Sequence, residues 1–179
     1  MGKTTSKKTK WGEVTITQNF PDVFKKVDGQ KLERELNFIL TREVLPTIDK
    51  GLSPVSKQRA FAKYKDPKKY PGKLKQNNKP NLTLTGEMLS YYEARVDKND
   101  PLNATMGIHS DAPERDKMLA NVHGKGTRKD IPRRAFIPDQ KKGETFTAKI
   151  TAAIRRAFGF VISEALAADL NKKKGVNND

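Results

Sequence analysis

Apolar residues recur every three or four positions in two long stretches of the chain, the spacing that places them on one face of a helix. The first stretch predicts a helix that starts near Asp28 or Gly29, kinks or ends at Pro46 and breaks at Gly51. Its apolar positions are Leu32, Leu36, Ile39, Leu40, Val44 and Ile48. The second stretch predicts a closing helix whose stripe is Phe146, Ile150, Ile154, Phe158, Ile162 and Leu166, widened by Ala153, Ala157 and Ala165.

Alternation of apolar and polar residues predicts three strands, since successive side chains of a strand point to opposite faces. The first covers residues 13–20, where Val14 to Thr17 alternate. Residues 91–97 and 104–109 predict two more strands, joined by the turn Asn99-Asp100-Pro101 as a hairpin.

Shorter helices are predicted from capping residues. Ser53 followed by Pro54 predicts a helix over residues 53–64. Thr85 predicts a brief helical turn through residues 87–89, and Asp111 is expected to cap a helix over residues 111–121. In that helix Met118 and Leu119 are expected to point inward.

The order of these elements predicts an α/β or α+β domain in which a small, mostly antiparallel sheet is covered by two long helices. Residues 1–10 are expected to be a flexible basic tail, residues 11–171 a single domain with a basic loop at 57–79, and residues 172–179 a flexible C-terminus. No secretory signal or membrane-spanning run is recognisable, so we expect synthesis in the bacterial cytoplasm and no membrane partner.

The chain is strongly basic: 36 Lys and Arg against 21 Asp and Glu give a net charge of +15. Such a charge attracts any polyanion at low salt but carries no sequence specificity. Cysteine is absent, which excludes disulfides, thiolate metal sites and a cysteine nucleophile.

The basic loop at 57–79 has one acid, Asp66, and two interpretations. Its basic residues are Lys57, Arg59, Lys63, Lys65, Lys68, Lys69, Lys73, Lys75 and Lys79. With Tyr64 and Tyr70 between them, they can contact DNA phosphates and stack on bases. The other interpretation is a solvated loop, or one that docks on an acidic neighbouring protein.

The sequence offers little catalytic chemistry. His109 and His123 are the two residues that titrate near neutrality, and neither has a second histidine at metal-ligand spacing. The run Gly124-Lys125-Gly126-Thr127 lacks the spacing and preceding strand of a phosphate-binding loop. We therefore expect no enzyme, no cofactor and no metal site, and an interface or structural role for His123.

Several short segments between Gly51 and Leu166 follow one another in a fixed order. They are Ser53-Pro54, Ala62-Lys63-Tyr64-Lys65, residues 81–89 (NLTLTGEML), Asn121-Val122-His123-Gly124 with Gly126-Thr127, and residues 131–138 (IPRRAFIP). In order and spacing they resemble the head-tail joining and tail-completion family of long-tailed phages, also called the virion-morphogenesis family. Family members commonly carry a proline where this chain has Ala135.

This resemblance implies a tail-terminator-like protomer that assembles as a ring, often a hexamer, in the neck of the virion. Its implied partners are further copies of itself, the head connector, and the tail tube or tail terminator. Around such a ring, the basic loop would hold genomic DNA by its phosphates without reading sequence.

The segment at 131–138 is expected to be a subunit or partner interface, or an inward-packing hinge. Pro132 and Pro138 hold it extended, Arg133 and Arg134 supply donors, and Phe136 is a large apolar anchor. His123 is included in the expected interface. For Phe136, packing in the core under the last helix is the alternative. A free basic nucleic-acid-binding protein is the alternative function, supported by the charge and the basic loop.

Overall fold

The structure is a computed structural model that describes residues 4–9, 12–17, 23–56, 60–63, 82, 87–129 and 131–175. Its elements in chain order are β1 (Thr4–Thr9), β2 (Gly12–Thr17), α1 (Gly29–Ile39), α2 (Leu45–Asp49), α3 (Glu87–Ser90), β3 (Tyr92–Val96), β4 (Ala104–Ile108), α4 (Glu114–Ala120) and α5 (Ala148–Gly175). The strands form two antiparallel pairs, β1 with β2 and β3 with β4. The fold is α+β, which confirms the predicted class.

Helix α1 begins at the predicted place because Asp28 caps it, with its carboxylate accepting a hydrogen bond from the backbone N–H of Lys31 at 2.9 Å. The predicted apolar face is buried. The chain then passes through a π-helical segment, Leu40–Val44, into α2. This wider turn lies directly before Pro46, the residue expected to interrupt the helix. Gly51, with φ of 73°, ends the helical stretch as predicted.

Helix α5 is the predicted closing helix, and it continues to Gly175, beyond the expected start of a flexible C-terminus at 172. It packs antiparallel to α1, since Lys31 pairs with Glu164 and Glu43 with Lys149. Its buried positions are Ile150, Ala157, Val161 and Ala165.

The stripe predicted for α5 is therefore partly wrong. Leu166 is 37% exposed, whereas Val161, which the every-fourth pattern omits, is buried. A step of four residues advances 400° around a helix, so a strict four-residue pattern drifts about 40° per step away from the face it started on.

The hairpin β3–β4 confirms the predicted pair and packs on α1 through polar side chains. Asn37 donates to the carbonyl of Ala94 at 2.9 Å and accepts from its N–H at 2.9 Å. The Glu33 carboxylate accepts from the N–H of Val96 at 2.9 Å. These bonds satisfy the edge of β3 that faces away from β4, so α1 occupies the place of a neighbouring strand.

Two predicted features differ in the structure. Instead of a helix, residues 53–56 and 60–63 form non-helical backbone, with antiparallel bridges from Leu52 to Ala60 and from Val55 to Phe146. These non-local pairings override the capping signal of Ser53-Pro54. At the other end of the chain, Thr4–Thr9 was expected to be a flexible tail but forms β1 in register with β2; its β-branched threonines favour this extended backbone.

Helix α4 exists, but its cap and orientation differ from the prediction. It starts after Pro113, while Asp111 pairs with Arg95 at 2.7 Å. Met118 is 58% exposed, which contradicts its predicted inward orientation, whereas Leu119 packs against the core as predicted and Asp116 is buried. The Oδ1 atom of Asp116 has no hydrogen-bond partner in the part of the chain that the structure describes.

The core lies where α1, α5 and the hairpin β3–β4 meet, and it includes Leu32, Leu36, Tyr92, Phe136 and Val161. Among the described residues, no helix has both the length and the apolar character needed to cross a bilayer.

Candidate functional site

The segment 131–136 lies in the interior, where parts of the chain that are far apart in sequence converge. Its neighbours are Ser53, Ala62, Tyr92, His123, Gly124 and Glu144. We call this set, together with residues 131–136, the motif cluster. Four of the short segments that carry the phage-family resemblance contribute described residues to it.

Ser53 joins the first of these segments to the last. Its hydroxyl donates to the carbonyl of Ala135 at 2.5 Å and accepts from the N–H of Val55 at 3.1 Å. The carbonyl of Pro54 accepts from the N–H of Thr147 at 2.8 Å, directly before α5 begins. Ser53, which the sequence analysis predicted to cap a helix, therefore helps to hold residues 53–55 against the segment 131–136 and the start of α5.

Phe136 is the apolar centre of the motif cluster, with an exposed fraction of 0%. Its ring meets that of Tyr92 edge to face, with centroids 5.8 Å apart and an interplanar angle of 78°. The Tyr92 hydroxyl donates to the Phe136 carbonyl at 3.1 Å, and burial raises the pKa of this phenol. A Cβ added at Gly124 would lie 3.4 Å from the Phe136 ring, at van der Waals contact, so Gly124 lies directly against this ring.

Arg134 is also buried, with 1% of its surface exposed. Its Nε donates to the Ala62 carbonyl at 3.1 Å, and its backbone N–H donates to the His123 carbonyl at 2.8 Å. Its guanidinium lies 3.3 Å from Nδ1 of His123. Because a guanidinium only donates, Nδ1 accepts this bond and the neutral imidazole carries its proton on Nε2.

His123 is held neutral at physiological pH. Burial, with the positive charge of Arg134 beside it, lowers the pKa of this imidazole to about 4. A neutral ring is the form that can accept from Arg134, so geometry and protonation agree. The histidine is a structural acceptor in this arrangement.

Arg133 points to the edge of the motif cluster and makes a two-pronged ion pair. Its two terminal nitrogens donate to the two carboxylate oxygens of Glu144 at 2.5 and 2.6 Å, and its Nε donates to the Gly124 carbonyl at 2.6 Å. The Arg133 bonds lower the pKa of Glu144 to about 2. Gly126 has a φ of 71°, and a Cβ added there would lie 3.0 Å from the Arg133 side chain, so both its backbone conformation and its surroundings favour glycine.

The structure divides the expected interface residues into two groups. Arg134 and Phe136 are inside the chain, so in this conformation their side chains cannot contact a neighbouring subunit; for Phe136 this is the alternative of core packing. Pro132, Arg133 and His123 are partly exposed. They are the members of the predicted interface that another molecule can touch.

Most of the basic loop cannot be placed in relation to this cluster. Lys63 is described and exposed. The other predicted contact residues lie outside the described residues: Lys57, Arg59, Lys65, Lys68, Lys69, Lys73, Lys75 and Lys79.

Sequence reasoning missed the roles of Tyr92 and Glu144. Glu144 had a usable signal, because it is an acid close in sequence to two adjacent arginines and a buried pair needs a counter-charge. Tyr92 had none, since its contact with Phe136 joins residues 44 positions apart.

The contacts of the motif cluster hold distant segments of the chain together. Its charged groups are bonded to each other or to carbonyls, and within the described residues no group of three or more histidine, aspartate or glutamate side chains is arranged to hold a metal. Comparison with models of protein families, with curated proteins and with solved structures found no match to this chain.

Proposed function

We propose that this chain is a structural protein of a bacteriophage neck that joins or completes the tail at the head-tail interface, acting as a ring of copies. The observation that carries the proposal is that four of the five short segments of the phage-family resemblance, scattered over 84 positions from Ser53 to Phe136, contribute to one cluster. Segments that act as one structural unit are expected to recur together in a family.

The proposal assigns different tasks to the two arginines. Arg134 ties together the backbones of the motif cluster from within, while Arg133 and Pro132 lie at its partly exposed edge. An edge that is held by a bidentate ion pair and by Phe136 behind it is pre-organised, which reduces the entropy lost when a partner docks. We propose that this edge contacts the next subunit or a neighbouring neck protein.

Infection with a phage that lacks this protein tests the neck role. We expect electron microscopy to show separate filled heads and tails, which join when the purified chain is added to the lysate. Intact infectious particles without the protein would contradict the proposal. Adding a Phe38→Ala variant, which alters an exposed residue of α1 that does not belong to the motif cluster, serves as a control that should still join them.

The alternative, a free nucleic-acid-binding protein, is favoured by four exposed arginines on the two long helical stretches: Arg34, Arg42, Arg155 and Arg156. Each can meet a phosphate without ordering a loop. Binding of the monomer to duplex DNA, measured against salt concentration, separates the two. The logarithm of the binding constant should fall linearly with the logarithm of the salt concentration, with a slope of ~0.9 in magnitude per phosphate contact. A slope near four in magnitude that becomes shallower when Arg155 and Arg156 are replaced by Ala would support the alternative.

A further inference from the structure

Among the described residues, no strand pairs with the edge of β4 that faces away from β3, and we call this edge the open edge. The partner strand β3 bonds to Asn37 and Glu33 through Ala94 and Val96, so those residues turn their backbone groups away from β4. On β4, Met106 lies opposite Ala94 and Ala104 lies opposite Val96. In an antiparallel ladder, two residues opposite each other form either a hydrogen-bonded or a non-hydrogen-bonded pair, so the backbone N–H and C=O groups of Met106 and Ala104 also point away from β3. Within the described residues no hydrogen bond reaches this outer side of β4.

This edge lacks the charged side chains and prolines that often protect an edge strand. Residues 102–109 (LNATMGIH) include no lysine, arginine, aspartate, glutamate or proline, although 32% of the chain is charged. An uncharged, unpaired edge recruits another strand by backbone hydrogen bonding. The composition is therefore that of a strand that is covered in the working state of the protein.

The hairpin of β1 and β2 is the complementary element. In the described part of the chain its strands pair with each other and with no third strand. A two-stranded hairpin is marginal in water by itself and needs a further strand or a packed face. It therefore gains stability from a strand edge to which it can add.

Charge favours the meeting of these two regions. The stretch 87–116, which contains β3 and β4, is acidic in a strongly basic chain. Its acids are Glu87, Glu93, Asp97, Asp100, Asp111, Glu114 and Asp116, against Arg95, Lys98 and Arg115. Residues 1–17 carry four lysines, Lys3, Lys7, Lys8 and Lys10, against Glu13. Opposite charges bring the two surfaces together and fix their orientation.

We propose that the β1–β2 hairpin of one copy adds to the open edge of β4 in a second copy, forming a four-stranded sheet shared between the two chains. The contact is heterologous, because a hairpin meets a different surface on its neighbour, and such contacts close into a ring when the rotation between copies permits. This inference rests on the self-assembly in the proposed function and supplies its contact.

Disulfide trapping tests the contact, since the chain has no cysteine of its own. The Thr105→Cys variant, altered on the exposed side of β4, is mixed with one of three variants of β2. These three occupy every second position of the strand: Glu13→Cys, Thr15→Cys or Thr17→Cys. We expect one of these mixtures to give a covalent heterodimer under mild oxidation. The matched control, Thr105→Cys with Ser163→Cys on the exposed face of α5, should give none.

Pairing within one chain is the competing arrangement. A double variant with both cysteines in the same chain would then cross-link as a monomer, and the mixtures of single variants would stay unlinked. That result, or equal cross-linking in the Ser163→Cys control, would overturn the inference.

A second variant pair tests the backbone. Met106→Pro removes an N–H that points to the open edge, whereas Met106→Ala keeps it. We expect Met106→Pro to weaken self-association at least about tenfold relative to Met106→Ala in sedimentation velocity, because an added strand loses a hydrogen bond and meets the proline ring. Circular dichroism of both variants checks that the hairpin is retained. Equal association of two folded variants would count against the edge.

These outcomes are distinct from failure of the neck role. Cross-linked rings that do not join heads to tails in the lysate would keep the inference and overturn the proposed function. Heads and tails that are joined by a protein whose self-association does not depend on β1, β2 or β4 would keep the proposed function and overturn the inference.

Discussion

The motif cluster and the contact between the two long helices stabilise the chain in different ways. In the motif cluster, Phe136 and Arg134 are buried, and the bonds from Ser53 to Ala135 and from Arg134 to Ala62 join residues 82 and 72 positions apart. Where α1 meets α5, the polar contacts are ion pairs between partly exposed side chains, such as Lys31 with Glu164 at 2.7 Å. Salt therefore weakens the polar contacts between the helices by screening their charges, whereas it has less effect on the more buried contacts of the cluster.

This difference shows where the chain is sensitive to substitution. A side chain lost from the motif cluster leaves a cavity or an unsatisfied carbonyl, and its neighbours come from several segments that cannot all close the gap. A side chain lost from the helix surface is replaced by water. The comparison predicts a ranked series of effects on the free energy of unfolding.

Phe136→Ala should have the largest effect. We expect a loss of about 4 kcal/mol, from lost burial, the cavity and the lost edge-to-face contact with Tyr92. Chemical denaturation measures it, with Phe38→Ala as the control because Phe38 is 57% exposed. Similar stabilities for the two variants would remove the distinction between cluster and surface.

Arg134→Ala should cost about 3 kcal/mol, since the Ala62 carbonyl and the His123 ring lose a buried donor. Arg134→Lys should recover only part of this, because an ammonium cannot reproduce the planar set of donors. Thermal and denaturant unfolding of both variants provides the measurement. Full rescue by lysine would show that charge alone, rather than the donor geometry, holds the segments together.

His123 should make the chain sensitive to acid at a mild pH. Its folded pKa of about 4 lies below the ordinary 6.5, so between these values the unfolded state binds more protons and stability falls as the pH is lowered. We expect the wild type to lose on the order of 1 to 2 kcal/mol between pH 6.5 and 4 in excess of His123→Gln. If the free energy of unfolding changes with pH by the same amount in the wild type and in His123→Gln over that range, the buried, neutral histidine is contradicted.

Glu144→Gln should cost about 1 to 2 kcal/mol at pH 7, because the charge-assisted bonds from Arg133 weaken. The folded pKa of Glu144, about 2, lies below its ordinary value of 4.5. The ion pair therefore stabilises the chain fully above about pH 4.5, and this contribution disappears as the pH falls towards 2. Denaturation of both proteins at pH 7, 4.5 and 3 should show the gap narrowing below pH 4.5.

Lys31→Ala should have the smallest effect, about 0.5 kcal/mol, since Lys31 and Glu164 remain partly exposed. Its loss should become undetectable in 1 M salt, which screens the pair. Lys31 also lies 4.5 Å from the centre of the Phe160 ring, so Lys31→Met tests whether that contact survives without charge. An effect as large as that of Arg134→Ala would break the comparison between the two regions.

The elements that the sequence predicts well are those in which local pattern and final environment agree. Helix α1 has a capping aspartate and an apolar face that is buried, and the hairpin β3–β4 has a turn between two alternating runs. Helix α5 was predicted, but its buried face was read with a four-residue repeat that drifts around the helix. Val161 was missed for this reason.

The motif cluster could not be derived from local pattern. Ser53 caps a helix or accepts a distant segment with equally good chemistry, and the deciding partner, Ala135, is 82 positions away. Arg134 was expected at an interface or an inward-packing hinge because its guanidinium is a planar group with several donors, and the chain supplies it with carbonyl and imidazole acceptors from Ala62 and His123. The sequence of these segments does not tell which of their side chains point inward.

The contact of Asn37 and Glu33 with β3 has a consequence for the direction of assembly. By bonding to one side of the hairpin, these two side chains leave β4 as its free edge within the described residues. In the proposed assembly each copy therefore offers one strand edge and one hairpin, which is a valence of two with a head and a tail. Copies joined in this way form a closed loop or a line and do not branch.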